Sequence, residues 1–200
     1  TDRAWIKELG SKDSLTDLGP YAQKGQQFVD ANFFPKMWDD VHWKGKMYGA
    51  PTWTDARALY YNKDLLEKAG LDPAKPPATW DDIESAAAKL TTKDSGGNYS
   101  QLGFVSTWGN PPGFLVWYLY AWQLGGDLTS DDGTKATYTS KESKDAVTWM
   151  LKMVDAYGGY EKVSAFASSF TPGQNQDAFT IGKVAIQVDG DWKIQNIIKY

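Results

Sequence analysis

The sequence predicts an α/β fold, and three observations carry that reading. Runs of strand length rich in β-branched, aliphatic or aromatic residues recur at 55–61 (DARALYY), 102–105 (LGFV) and 184–188 (VAIQV). Between them, apolar residues repeat at helical spacing, as Ile83, Ala86, Ala87 and Leu90 do at i, i+3, i+4 and i+7. Helix-start residues precede these stripes and glycines follow them. Strands alternating with helices build α/β layers.

The elements follow in order. Residues 3–9 read as a short helix stopped by Gly10, and 20–29 as another with Pro20 in its first turn, where the missing N–H is tolerated. Residues 35–43 place Met37, Trp38 and Val41 on an amphipathic turn or helix, and 46–51 are strand-like. The run 55–61 is a strand ending at Asn62, an N-cap for a helix over 63–69 with Gly70 at the stop position. Thr79 and Asp82 form a capping box with Asp in place of the usual Glu, opening the helix that carries the 83–90 stripe.

Residues 94–100 (DSGGNYS) are a polar loop before the strand 102–105. The run 114–124 (FLVWYLYAWQL) predicts a helix apolar all round and so buried on all sides. It is too short to cross a bilayer, which takes about 20 residues. Thr139 and Glu142 form a second capping-box pattern, ahead of a helix with Ala146, Val147, Met150, Leu151, Val154 and Tyr157 that stops at Gly158-Gly159. Residues 177–181 read as a short helix and 184–188 as a buried strand. That strand turns at Asp189-Gly190 into a last helix over 191–198.

Composition excludes several function classes. The 200 residues carry a net charge of -4, with no basic stripe, which argues against a nucleic-acid partner. The absence of cysteine removes disulfides, thiolate metal sites and cysteine catalysis. His42 is the single histidine, so neither a histidine metal site nor a catalytic triad is expected, and no cofactor is implied. The outlier is ten Trp and eleven Tyr at a mean hydropathy of -0.52. Rings with an apolar face and a polar handle concentrate at binding surfaces, and sugars offer flat C–H faces to stack on them. The alternative use of so many rings is core packing.

Three segments carry a resemblance. They are KGKMYGAPTWTDARALYYNKDLLEKAGLDPAKPPATWDD at 44–82, GKVAIQVDGDW at 182–192 and, more weakly, TDRAW at 1–5. Together they resemble the extracellular solute-binding proteins of ABC importers, the sugar-binding family of maltose-binding-protein type. The resemblance runs from Asp2 to Ile198. It implies a two-lobe periplasmic-binding-protein-like fold (type II), each lobe a β-sheet flanked by helices. Residues 1–52 would then be part of a first lobe, 53–57 a hinge or crossover strand, and 58–200 most of a second lobe. Family members are usually about twice as long, so the chain is expected to be either a fragment of a longer protein or a truncated relative.

The resemblance also implies a site. Trp192, in the family's Gly-x-Trp turn, would stack on a sugar ring; the alternative is a Trp packed beneath the last helix. Strand end followed by helix start is where α/β sheets place ligands. Asp55 aligns with a cleft carboxylate that accepts from sugar hydroxyls, or is an exposed or paired Asp beside Arg57. Asp2 and Arg3 match an Asp-Arg pair that brackets hydroxyls, or simply start a surface helix. Trp108 and Asn110, in the loop 106–112 (STWGNPP), and Trp117 are candidates from the second lobe, with Trp117 reading first as a core residue. Trp53 and Trp5 border the other motifs.

The expected function is capture of a sugar or small oligosaccharide between two lobes and its delivery to the transmembrane subunits of an ABC permease, without catalysis. The protein would be a monomer, periplasmic or extracellular, tethered to the membrane, with its signal segment outside this chain. One alternative keeps the fold with a non-sugar solute such as a polyol phosphate or peptide. Another is a carbohydrate-active enzyme or binding module. A hydrolase would need two carboxylates facing each other across roughly 5–9.5 Å. Asp39-Asp40, Asp81-Asp82 and Asp131-Asp132 are sequence neighbours, and adjacent residues on a helix do not face each other.

Overall fold

The computed structural model describes residues 4–22, 30–106, 116–130 and 134–200. The chain divides into two compact units, Thr1–Asp55 and Ala56–Tyr200.

In the first unit, helix α1 (Ala4–Ser11) presents Ile6 to a small core with Val41, Met47 and Tyr48. Gly10 lies inside α1 rather than ending it. A Cβ there would come within 2.8 Å of the Tyr48 ring, so the glycine admits that ring. Helix α2 (Gly19–Ala22) follows, and the rest of the expected 20–29 helix lies outside the described residues. Helix α3 (Pro35–Asp40) has Pro35 in its first turn, where no N–H is needed. Strands β1 (His42–Trp43) and β2 (Lys46–Met47) form an antiparallel hairpin. Its turn uses Lys44 and Gly45 at φ 47 and 76. The strand expected over 46–51 is therefore two residues long, and 42–43 is strand rather than helix.

The second unit is built on a four-stranded mixed sheet in the order β3-β6-β5-β4. Strand β3 (Arg57–Tyr61) runs antiparallel to β6 (Val184–Gly190), and β6 runs parallel to β5 (Tyr99–Val105). The short β4 (Thr92–Lys93) edges β5. A parallel pair needs a long crossover. Here it runs through α6 (Trp117–Gln123), α7 (Lys141–Ala156) and α8 (Tyr160–Ala167).

Asn62 caps α4 (Lys63–Lys68) by accepting from the Leu65 N–H at 3.1 Å. The Thr79/Asp82 capping box opens α5 (Trp80–Leu90), whose buried face is Ile83, Ala86, Ala87 and Leu90. Helix α5 presses close to β5: a Cβ at Gly103 would lie 2.2 Å from the Ala87 carbonyl oxygen. Main-core rings include Phe104, Tyr120 and Trp149, and the Trp149 ring stacks on Trp80 at 4.7 Å. Some of the tryptophan excess is therefore core.

In this unit three expectations change and one helix was not expected. Helix α6 is not buried all round, because Tyr120 and Ala121 face the core while Trp122 and Leu124 are exposed. The α7 cap is Ser140, which accepts from the Ser143 N–H, rather than Thr139. Residues 177–181 are turns. The Asp177 carboxylate accepts from the N–H groups of Phe179 and Thr180 in the manner of an N-cap, but the single turn it opens stops at Gly182, at φ 70. Helix α8 went unpredicted, since it starts after Gly159 at φ 99 without a side-chain cap.

Candidate ligand-binding site

Strand β6 lies in the middle of the sheet and ends at Gly190, two residues before helix α9 (Lys193–Lys199). Trp192 occupies the cap position of α9, and its ring folds back over Gly190. A Cβ on residue 190 would come within 2.3 Å of that ring, so glycine is the residue that lets the ring lie there. Trp192 remains 39% exposed, which leaves ring surface open to a ligand.

Gly190 is held from several directions. Its N–H donates to Oδ1 of Asp189 at 2.8 Å, and its carbonyl accepts from the Tyr60 hydroxyl at 2.9 Å. Across the antiparallel ladder its partner is Arg57. The Arg57 guanidinium carbon stands 4.6 Å from the centroid of the Trp192 ring, a cation–π distance.

Charged groups are buried behind this turn. Lys193 Nζ donates to Asp177 Oδ1 at 2.6 Å and lies 3.7 Å from Asp189 Oδ2. Gln187 Nε2 donates to the same Asp189 oxygen at 2.7 Å. Burial pushes the Asp189 carboxyl above the usual carboxylate range, against the pull of the Gly190 N–H, Lys193 and Arg57. Burial would raise Asp177 as well, but Lys193 and the N–H groups of Thr180 and Gly173 outweigh it and its pKa is lowered. Burial raises the Tyr60 phenol, helped by Asp189 and Asp191.

The other expected residues are placed unevenly. Asp2, Arg3, Trp108 and Asn110 lie outside the described residues. Asp55 is exposed, at the end of the first unit. Trp5 and Trp53 are 51% and 63% exposed. Trp117 is half-buried and packs against the main core of the second unit. Within the first unit, Trp53 lines a concavity of about 540 Å³ with Phe33, Phe34, Met37 and the polar Asn32 and Thr54. Within the second unit, the structure brings Arg57 and Gly190 against the Trp192 ring, and Tyr60 onto the Gly190 carbonyl. Sequence reading missed Arg57 and Tyr60 as neighbours of this turn, since only the β3–β6 register reveals them.

No group of acidic or histidine side chains suited to a metal occurs among the described residues. His42 donates through Nδ1 to the Trp38 carbonyl at 2.6 Å, a local structural use. No helix of the described residues is long and apolar enough to cross a membrane.

Comparison with known proteins settles the family. The model for bacterial extracellular solute-binding proteins matches residues 1–200. The chain belongs to this family. Members of the solute-binding family bind and hand on small molecules, mainly sugars, and are not enzymes. A relative named as a binding protein in Brucella abortus (strain 2308) is 33% identical over 199 residues, covering 98% of this chain and 44% of that protein. The sn-glycerol-3-phosphate-binding periplasmic protein UgpB of the same organism is 30% identical over 159 residues, 78% of this chain and 34% of its own length. The solved structure of CpMnBP1 with mannotriose bound superposes with a TM-score of 0.80 at 28% identity, covering 98% of this chain and 48% of that one. This solute-binding chain thus spans less than half the length of the relatives it matches.

Proposed function

We propose that the protein captures a sugar or small oligosaccharide between two lobes and delivers it to an ABC-type permease. The observation that carries this is the partly exposed Trp192 ring, seated on Gly190 at the end of the central strand beside Arg57. A ring held open at a strand end is suited to stacking on a sugar face. The likeness to a mannotriose-bound structure supports the same ligand class. Trp53, Trp5, Asp55, Asp2 and Arg3 in the first unit, with Trp108 and Asn110 in the second, would supply further contacts. Ligand held by both lobes would favour a closed state, with 53–57 as a hinge strand. The division between Asp55 and Ala56 falls inside that stretch. The protein would work as a monomer, tethered at the outer face of the membrane.

A second reading rests on Arg57. A guanidinium beside the stacking ring suits a phosphate as well as a hydroxyl-rich ring, and one relative is named for sn-glycerol-3-phosphate. Titration of the protein at its natural length decides between them, reading Trp fluorescence with mannotriose, simple hexoses and sn-glycerol-3-phosphate. Saturable quenching by a sugar, lost in Trp192→Ala and without turnover, is the expected result. A response to the phosphate alone would replace the sugar reading, and turnover of any sugar would overturn the transport reading.

A further inference from the structure

We propose that Lys193, buried with the Asp177 carboxylate and facing the partly buried carboxylate of Asp189, is a positioning residue that sets the angle of the Trp192 ring. The inference rests on the reading of Trp192 as a ligand-stacking ring and names the part of the fold that orients it.

Lys193 follows Trp192 directly, so whatever immobilises Lys193 fixes the backbone from which the ring projects. Its side chain is 1% exposed, and so is that of Asp177. Taking a lysine ammonium out of water carries a large desolvation penalty, and a buried pair seldom returns more stability than an apolar pair of the same volume would. On this proposal the pair supplies geometry instead, since the Lys193 ammonium is held at 2.6 Å from Asp177 and 3.7 Å from Asp189.

Asp177 is already committed before Lys193 reaches it. Its carboxylate accepts from the N–H groups of Gly173, Phe179 and Thr180 and from the Thr180 hydroxyl. The acceptor for Lys193 is therefore anchored to the whole loop that precedes β6. On the other side, Asp189 joins Lys193, Gln187 and the Gly190 N–H. Gln187 turns its amide nitrogen toward Asp189, and among the described residues its buried Oε1 has no hydrogen-bond partner. Residues 189, 190 and 193 are thus pinned by hydrogen bonds and ion pairs to the buried Asp177, Gln187 and Lys193 and the partly buried Asp189, and Trp192 sits within that frame. A site whose supporting shell is loose loses its productive geometry even when its contact residues are intact.

The test uses the protein at its natural length, labelled with fluorotryptophan. The Trp192 fluorine resonance is assigned by its loss in Trp192→Phe. Lys193→Met is expected to shift and broaden that resonance while the Trp149 resonance, assigned in the same way, stays put. Should Lys193→Met fail to fold, Lys193→Met/Asp177→Leu removes both buried charges, and Gly190→Ala lifts the ring off its seat without touching the pair. Recovered stability with a still-displaced Trp192 signal in the double variant is the expected signature of positioning. An unchanged Trp192 resonance in folded variants lacking Lys193 would overturn the inference. In the binding arm, mannotriose affinity is expected to fall about tenfold in Lys193→Met. A protein whose mannotriose affinity is indifferent to Trp192→Ala would instead overturn the stacking reading, whatever the resonance shows about the ring.

Discussion

The Lys193 ammonium meets the Asp177 carboxylate at 2.6 Å in a place where neither side chain is more than 1% exposed. Removing one partner strands the other charge. Asp177→Ala should therefore destabilise the protein by about 3–5 kcal/mol. The paired change Lys193→Met/Asp177→Leu should recover most of that loss. Denaturant unfolding of both variants checks it, and equal losses in the two would contradict the account.

Acid stability follows from the same carboxylate. Asp177 has a lowered pKa in the folded state, since Lys193 and its N–H donors outweigh burial. A lowered folded pKa contributes stability that is present above the unfolded value, near ~3.9, and disappears as pH falls through the folded one. Asp189 has the opposite sign: its raised pKa contributes stability below the unfolded value that is lost as pH rises through the folded one. The melting temperature should fall at low pH, and Asp177→Asn should flatten that acid limb. An identical limb in the variant would show that other groups control it.

Gly103 is a packing requirement. A Cβ there would meet the Ala87 backbone at 2.2 Å, and backbone on both sides leaves little room to yield. Gly103→Ala should destabilise by about 1–3 kcal/mol, the usual range for overpacking. Calorimetry of the variant would show it as a lowered melting temperature, and an unchanged one would mean α5 can move off β5.

The helix caps separate two nearly identical patterns. Ser140→Ala should lose about 1 kcal/mol, because its hydroxyl accepts from the Ser143 N–H. Thr139→Ala should change little. Thermal melts of the two variants distinguish these outcomes, and the reverse ranking would place the start of α7 one residue earlier.

Much of the second unit was legible because its signals are local. Asn62, Thr79 and the stripe at 83–90 act within a few residues of themselves, and each does in the fold what its chemistry suggests. The resemblance identified the family and the turn that carries Trp192. What the sequence did not reveal depends on distant partners. Arg57 and Tyr60 meet the turn only through the β3–β6 register. Asp177 reads as part of a short helix until its carboxylate is seen to gather loop N–H groups and Lys193. Trp117, a candidate from the resemblance, packs against the main core, and composition alone does not single out Trp149 as a core ring.

The sheet order carries a lesson about timing. Strand β6, the latest in chain order of these four strands, is inserted between β3 and β5, and its contact from Tyr60 to Gly190 joins residues 130 positions apart. Until β6 emerges during synthesis, β3 and β5 have no shared neighbour to join them. Such distant pairing slows folding and lengthens the time that strand edges stay open. A newly made chain would thus leave the facing edges of β3 and β5 open until β6 had been produced to fill the space between them.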